Sequence, residues 1–183
     1  AAVPLMACKP LTTALLAAAI ALLSCAASQA EPDELEYKVK AAFLLNFARF
    51  AAWPESSAAE QTFTLCILGD DPFGPALTGI ESKEIGGKPV QLRHFESISA
   101  GVDKCRMLFV GKSGQTGVER VLKAVAGQPV VTVSDIEGFA KAGGMFEFKN
   151  QEGRLSFVIN NAKARESGVR ISSSLLNLAV QVL

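Results

Sequence analysis

The chain has one histidine, His94, and four cysteines. Only Cys66 and Cys105 lie beyond residue 30, and two cysteines with one histidine do not supply four tetrahedral ligands, so with the first thirty residues set aside no metal is expected. His94 has no thiol or hydroxyl partner at a recognisable spacing, so it reads as a strand residue rather than a catalytic base. No G-x-S-x-G elbow occurs. Gly111-Lys112-Ser113 follows an apolar segment, but a phosphate loop needs glycine five residues ahead of its Gly-Lys-Ser glycine. Arg106 stands there instead. No block of like charge exists, and 18 basic residues balance 18 acidic ones. That balance argues against a nucleic-acid surface. No pattern calls for a cofactor, and no constellation looks built to make or break bonds.

One apolar run stands out, Leu11 to Leu23, with Lys9 the sole charge before Glu31. It is shorter than the roughly 20 residues a spanning helix needs. Ser28-Gln29-Ala30 then fits the small-x-small cleavage rule. Residues 1–30 are therefore expected to be a secretory signal peptide cleaved after Ala30. A competing reading takes Leu22-Leu23-Ser24-Cys25 as a loose lipoprotein box, with Cys25 lipidated. Residues 31–183, 153 in all, are expected to form a single domain with formal charge −1 once Lys9 is gone. Cleavage leaves Cys66 and Cys105, which in an exported protein are expected to form one disulfide. Two buried free thiols are the alternative.

The organising stretch is Phe63 to Gly74. Phe-Thr-Leu-Cys-Ile-Leu suits a strand buried on both faces, and Gly69-Asp70-Asp71-Pro72 ends it in a turn. In an open doubly wound sheet that turn lies at the ligand-bearing carboxyl edge. Asp70, Asp71 and Arg49 are accordingly the candidate ligand residues. With Ser134, the aspartates suggest a phospho-receiver pocket, but the aspartate that would accept phosphate is missing near Val110-Gly111-Lys112.

Pro32 to Trp53 reads as a helix whose stripe is Leu35, Val39, Phe43, Phe47 and Phe50, with burial on several sides. Trp53-Pro54 should stop it. Arg49 is expected to snorkel and Asn46 to find a backbone carbonyl. Phe73–Ile80 reads as a short helix, Pro89–Phe95 as a strand nearer an edge, and 96–103 as a poor helix. Strands at Arg106–Gly111 and Val130–Ser134 alternate with helices at Val118–Ala126 and Ile136–Ala142. Met145–Phe148 and Leu155–Asn160 read as a β-hairpin. A polar connector at Asn161–Glu166, a serine-capped helix start around Gly168–Ser174, and a terminal helix at Leu175–Leu183 follow. The alternation predicts a three-layer α/β sandwich, mostly parallel, with an antiparallel C-terminal hairpin.

Four blocks then carry a resemblance. Lys40-Ala-Ala-Phe-Leu-Leu-Asn-Phe-Ala-Arg-Phe-Ala-Ala-Trp-Pro54 resembles the opening helix of the YfiR-like periplasmic proteins. Cys66-Ile-Leu-Gly-Asp-Asp-Pro-Phe-Gly74, Cys105-Arg-Met-Leu-Phe-Val-Gly111 and Ser167-Gly-Val-Arg-Ile-Ser-Ser-Ser-Leu-Leu-Asn-Leu-Ala179 match later blocks in order. The resemblance implies a Rossmann-like homodimer in the periplasm. It implies a regulator, not an enzyme, that represses a membrane diguanylate cyclase by binding its periplasmic sensor domain. Release, aided by an outer-membrane lipoprotein, raises cyclic di-GMP and promotes biofilm. Cys66 and Cys105 match the family's structural pair, whereas Phe146 and Glu152 fall where some members carry a second pair. Within the last block, Val169, Arg170, Ile171 and Ser172 are the expected partner-binding residues, a cation set in an apolar patch. The rival function is a periplasmic small-ligand binder using the turn at residues 69–74.

Overall fold

The computed structural model describes residues 31–55, 59–98, 101–151 and 153–183. The expected signal peptide and the lipoprotein alternative at Cys25 lie outside these residues. The chain divides after Leu35, and the second unit, Glu36–Leu183, holds the sheet. Among the described residues no helix is long and apolar enough to cross a membrane.

Helix α1 spans Glu31–Phe50 and is followed directly by β1, Ala51–Ala52. It presents one buried face, Ala41, Leu44, Phe47 and Ala48, while Leu35, Val39 and Phe50 are exposed. The apolar stripe expected from the sequence is thus rotated by about one residue from the face that packs. The helix also stops three residues short of Trp53. Ala51 and Ala52 pair instead with Ile171 and Arg170 of β9, Arg170–Ile171, and pairing across the chain wins over local helix propensity. Asn46 and Arg49 both face solvent.

Strand β2, Phe63–Leu68, is buried at every residue, as its uncharged composition requires. It runs parallel to β4, Lys88–Phe95, on one side and to β5, Met107–Val110, on the other. Beyond β5 come β6, Val131–Ser134, in parallel, then β7, Phe146–Gln151, in parallel with β6. Strand β8, Arg154–Ile159, folds back antiparallel on β7. A short β3, Glu84–Ile85, pairs antiparallel with the outer side of β4. The result is a mixed α/β fold with an eight-stranded mixed sheet. Alternate residues of β2 feed two cores: Phe63, Leu65 and Ile67 pack with α1, and Cys66 and Leu68 pack opposite. Cys66 and Cys105 are joined by a disulfide within the second core.

Helices α2, Pro75–Glu81, and α3, Val118–Ala124, stand near their expected positions. Four segments depart from expectation. Of the expected helix at 96–103, residues 96–98 bend, residues 99 and 100 lie outside the described residues, and Val102–Lys104 make a single 3-10 turn. Residues 136–142 form successive turns. The Glu147 carboxylate takes the N–H groups of Gly138 and Ala140, so a side chain from β7 satisfies donors that a helix would have used. Asn161–Glu166, expected as a connector, is helix α4, capped by Asn160 accepting from the Lys163 N–H. The expected terminal helix shrinks to α5, Ser173–Leu176, and the chain then runs out as β10, Gln181–Val182, parallel to β8.

Glu147 carries a pH prediction. Burial pushes its carboxyl up, but the Lys149 ammonium and the Ala140 and Gly138 N–H groups outweigh this and hold it below its ordinary value. A depressed native value contributes stability above the unfolded-state value and loses it as pH falls through the native one. Glu147→Gln should therefore flatten the acid limb of a stability–pH curve relative to wild type. Parallel acid limbs in urea titrations would contradict the assignment.

Candidate functional site

Three places collect the polar groups a function could use. The first is the turn after β2, at the switch point between β2 and β5, where the chain crosses from β4 to the other side of β2. The Asp70 N–H donates to Ser113 Oγ at 2.8 Å. Asp71 Oδ1 accepts from the Phe73 N–H, and Asp71 Oδ2 lies 3.0 Å from His94 Nε2. Across the crevice, a Cβ on Gly111 would stand 2.6 Å from the Asp70 carbonyl oxygen. The Asp70 and Gly111 backbones thus approach closely, and a cavity of about 240 Å³ opens beside them, lined among others by Leu68, Gly69, Ser113 and Arg120. Asp71 serves its own turn, and Asp70 is exposed.

The candidate set Asp70, Asp71 and Arg49 is not one site. Arg49 lines a cavity of about 390 Å³ together with Ala52, Trp53, Phe63, Ile85 and Lys88. Phe63 begins β2 and the aspartates follow its end, so the two places lie at opposite edges of the sheet. Six strand residues separate them by roughly 20 Å.

The second place is the β1–β9 ribbon beside that cavity. Val169 is 0% exposed and belongs to the core, so it cannot touch a partner. Its neighbour Arg170 is exposed, opposite Ala52. Ile171 is half-buried against the core. Ser172 caps α5 by accepting the Leu175 N–H, and its own N–H donates to the Phe50 carbonyl. Tertiary pairing thus sets Arg170 opposite Ala52, while Phe50, 44% exposed at the end of α1, accepts the Ser172 N–H two positions further along the ribbon.

The third place was not foreseen. Lys40, on the packed face of α1, is buried with Nζ 2.7 Å from both Asp135 Oδ2 and Glu36 Oε1. The Tyr37 hydroxyl donates to the same Asp135 oxygen at 2.8 Å, and Asn150 Nδ2 donates to Glu36. The Lys40 ammonium holds the Glu36 carboxyl below its ordinary value against the opposing pull of burial. Asp135 follows β6 and Lys112 follows β5, and both line a small cavity with Glu36 and Lys40. One signal was available: Lys40 precedes Leu44 and Phe47 on a single stripe, a lysine where an apolar residue is usual.

None of these places sets a nucleophile against a base and its orienting group. Among the described residues no group of three His, Cys, Asp or Glu could hold a metal ion. The family profile described as YfiR/HmsC-like matches residues 37–180, from Tyr37 in α1 to the approach to β10. The chain belongs to the YfiR/HmsC-like family. The YfiR/HmsC-like match takes in all three places described above except Glu36, which lies one residue before it. A crystal structure of a conserved domain protein from Vibrio cholerae O1 biovar El Tor strain N16961 is similar in fold, with TM-score 0.54 and 10% identity. The similarity covers 78% of this chain and 60% of that one, so the chain spans less than two thirds of the neighbour's length.

Proposed function

We propose that this YfiR/HmsC-like protein is a periplasmic regulator that binds and represses the periplasmic sensor domain of an inner-membrane diguanylate cyclase. In this reading residues 1–30 direct export, residues 31–183 form one Rossmann-like three-layer domain, and the domain works as a homodimer. Binding lowers cyclic di-GMP and biofilm formation, and an outer-membrane lipoprotein relieves it. The observation that carries the reading is the family match over residues 37–180. A disulfide between buried cysteines suits an oxidising compartment.

The contact surface that best fits is the β1–β9 ribbon with Phe50. An exposed aromatic at one end of the ribbon and an exposed arginine within it are the residue types of an interface anchor, and an apolar cavity adjoins the ribbon. The small-ligand alternative at residues 69–74 loses ground, because Ser113 and Asp71 already serve that turn's backbone.

Arg170→Glu should weaken binding to the cyclase's periplasmic domain by about tenfold or more, while the circular dichroism spectrum and melting temperature stay unchanged. Calorimetric titration with the purified sensor domain reads this directly. Unchanged affinity would remove the ribbon from the interface. Absence of any binding by the wild-type chain would remove the repressor reading itself.

A further inference from the structure

Strand β10 is the last strand of the sheet, and among the described residues it has a neighbour only on its β8 side. An open edge offers unpaired backbone groups to any other strand, so natural sheets blunt their edges with charge or proline. The opposite edge is blunted in that way, by Glu84 in β3 and by Lys88, Pro89 and Arg93 in β4. The β10 edge is not. From Ile171 to Leu183 the sequence has no charged side chain and no proline. Leu178, Val180, Val182 and Leu183 are all exposed, Leu178 at 68%, and they are four of the seven large apolar side chains exposed among the described residues. Apolar residues scattered singly need no explanation, but four within six positions mark a contact surface.

The edge is also held in shape. The Leu183 N–H donates to the Ile159 carbonyl at 2.8 Å, and the Leu183 carbonyl accepts from the Asn161 and Ala162 N–H groups. Successive residues of a strand turn their backbone groups to opposite sides. Val182 therefore presents its own N–H and carbonyl to the open side.

Composition selects the occupant. A contact about a two-fold axis sets a patch against itself, and any charge on it meets its like. This edge carries no charged side chain, so it is compatible with itself. A partner that must be released suits a mixed polar surface, whereas an uncharged apolar one suits the lasting contact of two identical chains, the more apolar class of interface.

We propose that β10, with Leu178 and Val180, is the face on which a second copy of this chain docks. About a two-fold axis at Val182 the two β10 strands run antiparallel, each Val182 N–H meeting the other's carbonyl, and two eight-stranded sheets join edge to edge. This rests on the homodimer part of the reading above and supplies its surface. It uses none of the β1–β9 residues offered to the cyclase.

Sedimentation equilibrium and amide hydrogen exchange on the exported chain test it. The wild type should sediment at twice the chain mass, with a melting temperature that rises with concentration and a slowly exchanging Val182 N–H. Val180→Lys and Val182→Lys alter exposed side chains and should leave the circular dichroism spectrum unchanged. Each should raise the dimer dissociation constant about a hundredfold or more, since the two-fold brings the introduced ammonium groups together. Val39→Lys, at a comparably exposed apolar position on α1, should leave the dimer intact. A dimer that both β10 variants leave intact, or that Val39→Lys dissolves as readily, overturns the edge assignment while the homodimer reading stands. Fast exchange at Val182 in a wild-type dimer does the same. A wild type that stays monomeric at millimolar concentration overturns both. Protection of Val182 that arises only when the cyclase's sensor domain is added gives the edge to that partner and overturns the proposal equally.

Discussion

Phe47→Ala should lower the unfolding free energy by about 3–5 kcal/mol, the usual loss for emptying a buried phenylalanine site. Phe47 is fully buried on the packed face of α1. Its ring stacks on Phe146 at 4.3 Å and on Phe148 at 5.5 Å, and it meets Phe157 edge-on at 5.0 Å. Phe43 adds a fourth ring at 5.8 Å. Three of these partners stand on β7 and β8, so the substitution detaches the helix from the hairpin rather than trimming a single contact. The surrounding rings are held by two strands and cannot collapse far into the space. Urea denaturation checks the magnitude, with Phe50→Ala as the control. Phe50 is half-exposed, and its truncation should change stability by only about 0.5 kcal/mol. Equal losses for the two variants would mean that α1 packs in another rotation.

Removing the disulfide should have a comparable effect by a different route. Cys66 and Cys105 are 39 residues apart in the sequence. Opening a loop of that length restores unfolded-chain entropy worth about 4 kcal/mol. For a domain of this size each kcal/mol moves the melting temperature by about 2–4 °C. Cys66→Ala with Cys105→Ala should therefore melt roughly 8–16 °C lower, with the native fold retained because both sites are small and apolar. The pair lies within the second core, so reductant should act slowly on the native protein and quickly under mild denaturant. A double variant as stable as wild type, or two titratable thiols in the native protein, would contradict the crosslink.

The two predictions differ in how far the sequence alone could have carried them. The cysteine pair was legible because reading residues 1–30 as a leader sets Cys8 and Cys25 aside and leaves only two thiols, whatever the fold. The role of Phe47 was legible only in outline. Helical spacing put it on an apolar stripe, but so did Leu35, Val39 and Phe50, which the fold leaves exposed. An all-round apolar segment offers several faces, and the sequence period does not say which one meets the sheet. The same limit explains Lys40. Its burial depends on Asp135, 95 residues away, and no local pattern encodes that encounter.

Errors at the C-terminal end share one cause. Arg170–Ile171 and Gln181–Val182 were expected within or beside helices, and both are strands of two residues. Strands so short have no periodicity to read; their hydrogen bonds come entirely from β1 and β8. Turns at 136–142 have a similar origin, since Glu147 supplies from another strand what a helix would supply internally. Val169 was expected on the partner-binding surface because an apolar residue flanking Arg170 suits an interface patch, but it stands in the loop that leads into β9. Its own side chain closes the core beneath that loop.

By itself the sequence determined the alternation of buried strands and helices, the late hairpin, the cysteine pair, and membership of the family through four ordered blocks. The first three rest on composition or short-range spacing and the last on a resemblance of sequence blocks, all of which survive any arrangement of the elements in space. Tertiary structure alone decided which face of α1 is buried, that Arg170 pairs with Ala52 just past the end of that helix, and that Lys40 meets Asp135 at a small cavity. Those are encounters between residues roughly a hundred positions apart, and their free energy comes from pairing and burial that exist only once the sheet has assembled.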